Sequence, residues 1–87
     1  MGTIWGRLRH NGHMDEVAGP LGLAARRLRL QALMSAEVVA HAAGISQARL
    51  QQIESGQVDG IRLYEAVCLA EALGMGLPEL TEEAGLA

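Results

Sequence analysis

Residues 35–56 read SAEVVAHAAGISQARLQQIESG, a pattern of two short helices hinged at a glycine. The Ser35 hydroxyl is suited to accept one of the unpaired backbone N–H groups of a first helical turn. Glu37 follows where the positive end of the helix dipole favours an acid. Val38, Val39 and Ala42 or Ala43 give this helix an apolar side, and Ala40 places a small residue where another backbone can approach. Gly44 is the expected stop, because glycine enters the left-handed conformation past a helix end at little steric cost. Ile45 is apolar within the turn, Ser46 is a second N-cap, and the next helix is expected over residues 47–55.

On that second helix Leu50 and Ile53, at i and i+3, make a narrow apolar stripe. The far side carries Ala48, Gln51, Gln52 and Ser55, with Gln47 at the exposed first turn and Arg49 on one flank. This face is polar yet almost uncharged, whereas a merely solvated helix more often carries Glu and Lys. Gln and Arg have flat, two-pronged hydrogen-bonding groups that suit base edges in the DNA major groove. Gln47 is the first choice for a bidentate adenine contact and Gln52 the second. Ala48 suits a thymine methyl, and Arg49 and Gln51 are candidates for a base or a phosphate. The competing reading is a surface helix rich in Gln by chance.

Ala40, Gly44 and Leu50, at relative positions five, nine and fifteen, resemble the helix-turn-helix pattern. The wider resemblance is to the phage repressor and Cro-like family, also called the xenobiotic-response-element family of transcriptional regulators, over about residues 21–81. LGLAARRLR resembles that family's first helix, VVAHAAGIS its second helix and turn, IESG the close of its recognition helix, and LAEALGMGLPEL its last two helices. The resemblance implies an all-α, five-helix repressor-like domain with the helix-turn-helix at helices 2 and 3. It also implies a pair between Arg29 and Glu54, which would lock the first helix to the end of the recognition helix. Two departures bear on DNA affinity. Many relatives carry Lys or Arg after the IESG close, where this chain has Gln57, Val58 and Asp59, and a phosphate-binding glutamine is often found where Ala36 stands. Both weaken the backbone contacts that normally supply much of the affinity. The helix N-terminal amides at Ala36 and Gln47 still suit phosphate, and Ser46, Gln57, Arg26 and Arg27 complete the expected phosphate-contacting set.

The whole chain fits this reading. Its 87 residues suffice for one small domain with a marginal core. Almost half the residues are apolar, yet there is no Phe and only one Trp and one Tyr, so the core is left to Leu, Ala, Val, Ile and Met. A single cysteine allows no intrachain disulfide. No apolar run approaches the ~20 residues that cross a membrane, and a reducing cytoplasm fits. The net charge of −3 is unevenly placed: six arginines against three acids give +3 over residues 1–53, and one arginine against seven acids gives −6 over residues 54–87. A basic half can face phosphates while an acidic half faces away. Every basic residue is Arg, which suits bidentate contacts to phosphate or guanine; compositional bias in an Ala- and Gly-rich sequence is the simpler explanation of the missing Lys.

Residues 1–19 hold four glycines and no sustained period, and read as a flexible arm in which Trp5, Arg7 and Arg9 can touch DNA or a neighbouring subunit. His10 and His13 have metal-binding spacing only on a helix, which Gly12 opposes, so no metal site is expected. Pro20 begins the ordered part, residues 20–83. Leu21, Ala25, Leu28 and Ala32 form the inner face of a first helix ending near Leu33. Asp59 or Gly60 is expected to cap a fourth helix from about Ile61 to Leu73, with Leu63, Ala66, Val67, Ala70 and Leu73 buried and Cys68 beside that stripe. Leu77-Pro78-Glu79-Leu80 starts a fifth helix, and residues 84–87 are expected to fray. Leu69, Met75, Leu77, Leu80 and Leu86 exceed what so small a core needs and are the dimer-interface candidates.

The expected function is a sequence-specific DNA-binding transcriptional regulator, a repressor or autoregulator, that binds a palindromic operator as a homodimer and requires no cofactor. The alternative is a protein-interaction module on the same fold, such as an antitoxin or adaptor, for which the acidic C-terminal half and the missing phosphate contacts speak. Catalysis is not expected, since no nucleophile stands beside a base and no metal set or phosphate-cradling loop is present.

Overall fold

The structure, a computed structural model, describes residues 17–86. Five helices follow one another along the described residues: α1 (Ala18–Gln31), α2 (Ala36–Ala43), α3 (Gln47–Glu54), α4 (Leu63–Ala72) and α5 (Leu77–Glu83). None is long and apolar enough to cross a membrane. The proposed arm, with Trp5, Arg7, Arg9, His10 and His13, lies outside the described residues except for its last three.

Those last three belong to the fold. Val17 is buried and α1 starts at Ala18 rather than Pro20, which therefore sits within the first turn, where the N–H that proline lacks has no helical partner anyway. The helix ends at Gln31, and Ala32, expected on its inner face, is exposed. Its close is unusual. The Leu33 N–H bonds the Leu30 carbonyl and the Met34 N–H bonds the Arg29 carbonyl, a Schellman turn whose left-handed position is taken by a leucine, Leu33 at φ 58°.

The core is assembled from every helix. Leu21, Val39, Leu50, Ile53, Ile61, Leu69 and Leu80 are fully buried among the alanines of α1, α2 and α4. Each such side chain contributes about 1.5–3 kcal/mol by leaving water. Leu69 and Leu80 are thus core residues, not dimer surface, and Met75, Leu77 and Leu86 pack partly buried against the same cluster. In the opposite sense, Val38 and Leu63, expected on apolar faces, are exposed, and of Ala42 and Ala43 it is Ala43 that is buried. The α4 start also differs from expectation. Arg62, not Asp59 or Gly60, is its N-cap, because Ile61 drops into the core from the preceding extended segment and delays the first helical turn. At the other end residues 84–86 do not trail away: the Leu86 N–H bonds the Thr81 carbonyl and Leu86 packs on the core.

Candidate nucleic-acid interface

The hinge between α2 and α3 is built as the residues dictate. The Ser35 hydroxyl accepts the Val38 N–H at 3.1 Å, and the Ser46 hydroxyl accepts the Arg49 N–H at 3.0 Å. Between them Gly44 takes φ 72°, where a side chain would be strained. The Ile45 N–H returns to the Ala40 carbonyl and closes the turn.

α3 buries Leu50, Ile53 and Glu54 and presents Gln47, Ala48, Gln51, Gln52 and Ser55 to solvent. Two features fix how it is presented. On α1, Gly22 lies so close that a Cβ there would stand 1.7 Å from the Ile53 carbonyl oxygen. At the helix end, Arg29 Nε and Nη2 donate to the two carboxylate oxygens of Glu54 at 2.8 and 2.9 Å, while Nη1 donates to the Met34 carbonyl at 3.0 Å. One guanidinium thereby joins α1, the turn after it and α3, as the resemblance implied for Arg29 and Glu54. The bonds to Glu54 outweigh burial and raise the Arg29 pKa above its ordinary, already high value.

Arg49, expected to contact a base or phosphate, is engaged elsewhere. Its Nε and Nη2 donate to Glu65 Oε2 and Oε1 at 3.0 and 2.8 Å, and Nη2 also donates to the Gly60 carbonyl at 3.2 Å. The physical reason lies in the wheel: the flank on which Arg49 stands faces the first turn of α4, and the Glu65 carboxylate there is 9% exposed. Bonds from Arg49 hold the Glu65 carboxyl below the ordinary carboxylate range, against the opposing pull of burial, and the Arg62 N–H, donating to Glu65 Oε1 at 2.9 Å, adds to the effect. Glu65 consequently caps α4 and clamps α3 with one carboxylate. The sequence held a partial signal, namely an acid at the third position of a helix, but nothing linked it to Arg49.

The remaining expected contacts are scattered around this face. Arg26 is exposed and, four residues after Gly22 and three before Arg29, lies on the α3 side of α1. Arg27 is not free: its Nη2 donates to the Glu83 carbonyl at 2.8 Å and lies 3.3 Å from Glu83 Oε1, an exposed pair at the α5 end. Ala36 is half-buried at the α2 start, and Ser46 and Gln57 are exposed. Beyond the end of α3 an open groove of about 790 Å³ is lined by Gln52, Ser55, Gln57, Asp59, Arg62 and Tyr64, among others. Among the described residues, Arg26 and Arg62 have no carboxylate at ion-pair distance.

With this geometry in place, the helix-turn-helix domain model matches residues 20–84, most of the chain. The chain belongs to the helix-turn-helix domain family. It is a DNA-binding regulator fold of the xenobiotic-response-element type. Among solved structures it is similar to the crystal structure of the clp gene regulator ClgR from C. glutamicum, with a TM-score of 0.72 and 23% identity over 79% of this chain and 88% of that one. At that identity the likeness is one of fold. No curated protein sequence matches the chain. In this helix-turn-helix protein α2 and α3 are the motif's two helices, which makes α3 the helix expected to enter a groove.

Proposed function

We propose that this helix-turn-helix protein is a sequence-specific transcriptional regulator that binds a palindromic operator as a homodimer and acts as a repressor or autoregulator. The observation that carries the reading is the outward face of α3, where exposed Gln47, Ala48, Gln51 and Gln52 stand over a rigidly buried Leu50 and Ile53. Neutral amides fixed on a helix this firmly held are suited to pairing with base edges, adenine above all. Two such helices, one per protomer, would read half-sites about 34 Å apart along the duplex. The phosphate backbone would be met by Arg26, by the first-turn amides at Ala36 and Gln47, by Ser46 and by Gln57. Arg27 can join them, because its solvent-exposed pair with Glu83 is weak and exchangeable. The regulator would work in the cytoplasm, with its DNA.

Selection of the tightest sites from randomised duplex DNA at two salt concentrations, with and without Gln47→Ala, tests this. A palindromic enriched site is expected, and Gln47→Ala should lose ~1–3 kcal/mol on it with relaxed specificity at one position per half-site. A loss equal on all sequences would instead assign Gln47 to a phosphate.

A second reading, a protein-interaction module such as an antitoxin or adaptor, is favoured by one observation: Leu23, Leu30 and Leu33 on α1 and its closing turn are 54, 46 and 92% exposed. It takes over if selection enriches no sequence and binding is weak, salt-sensitive and indifferent to Gln47→Ala.

A further inference from the structure

Arg49 stands on the DNA-reading helix, next to Ala48 in sequence and about one turn from Gln52, and it is the only cation on α3. Yet its guanidinium is turned off the outward face and forked onto Glu65, with a third bond to the Gly60 carbonyl. Glu65 is also held by the Arg62 N–H, a second anchor that does not involve Arg49. The fork is partly shielded, with the side chains 28% and 9% exposed. A guanidinium left on the outward face would add a sequence-independent attraction to any phosphate and a strong preference for guanine.

We propose that Glu65 is a specificity-determining positioning residue: by holding Arg49 against α4 it keeps the single cation of α3 away from DNA, so that neutral amides alone read the operator. This rests on the DNA-binding reading above and deepens it. Glu65 touches no base. It acts through Arg49, and its removal should add a contact rather than abolish one.

Three full-length variants, Glu65→Gln, Arg49→Gln and the double Arg49→Gln/Glu65→Gln, are titrated with the selected duplex and with a scrambled duplex across a salt series, with circular dichroism verifying the fold. Glu65→Gln is expected to bind scrambled duplex severalfold more tightly at low salt and to steepen the log–log salt dependence by about one unit, as one new phosphate contact should. Arg49→Gln is expected to keep the wild-type slope. The double variant should return to it as well, which separates release of Arg49 from simple loss of a nearby negative charge. An unchanged slope in Glu65→Gln, or a steep slope that persists in the double variant, would overturn the proposal. So would a flattened slope in Arg49→Gln, which remains readable even if Glu65→Gln fails to fold. Absence of any enriched sequence for the wild type would defeat the DNA-reading function instead, a different result from any of these.

Discussion

The recognition helix is attached to its two flanking helices in different ways. Toward α1 the backbones nearly touch at Gly22 and Ile53, and the fork from Arg29 to Glu54 is sealed, with side chains 13% and 7% exposed. Toward α4 the link is a fork of the same chemistry, Arg49 to Glu65, but more open on the arginine side, and it joins helices whose backbones are not close neighbours. One attachment sets where α3 sits. The other sets which of its side chains are available. Identical residue pairs can therefore serve structure in one place and selectivity in another, depending on what lies under them.

The two attachments should differ in what their loss costs. The largest effect is expected from Gly22→Ala, whose new methyl would collide with backbone rather than with a side chain that can move. Because α1 and α3 would have to separate, we expect a loss of about 3 kcal/mol or more, read as a lowered urea midpoint. A loss under 1 kcal/mol would mean that α3 is not held by the close approach.

Glu54→Ala comes next. It strands Arg29 in a shielded site and is expected to cost about 3 kcal/mol. Arg49→Gln should cost only about 1 kcal/mol, since its fork is partly solvated and Glu65 keeps the Arg62 N–H. Equal costs at the two forks would erase the distinction between them.

Acid sharpens the same contrast. Glu65 has a folded-state pKa below its unfolded value, so its contribution is complete above the unfolded pKa of about 4.3 and is lost as pH falls through the lower, folded one. The stability gap between wild type and Arg49→Gln should accordingly be constant near neutrality and close below about pH 4. Unfolding curves at stepped pH measure it; a gap that persisted at pH 2 would deny the fork its role.

The smallest effect is a gain in the turn after α1, at a side chain that takes no part in either fork. Leu33 holds a left-handed conformation that L side chains disfavour by roughly 1–2 kcal/mol, while its side chain is 92% exposed. Leu33→Gly should raise stability by about 0.5–1 kcal/mol, after the extra chain entropy of glycine is subtracted, without changing DNA affinity. A loss of DNA affinity would tie this turn to the interface.

What the residues determined by themselves is local. The caps at Ser35 and Ser46, the left-handed Gly44, the buried pair Leu50 and Ile53 and the outward amides of α3 all follow from spacing within one or two helical turns, and five helices could be placed in order. Resemblance added the Arg29–Glu54 pair across 25 residues. The exceptions were decided by packing. Leu69 and Leu80, set aside for a partner, are fully buried because the core draws one residue or more from every helix. Gly22 proves to be the close approach of α1 to α3, and Arg49 belongs to Glu65 rather than to the open face. Periodicity assigns a side chain to a side of its own helix. Only the crossing of helices decides what it meets there, since burial and ion pairing depend on distances between segments that the local pattern does not encode.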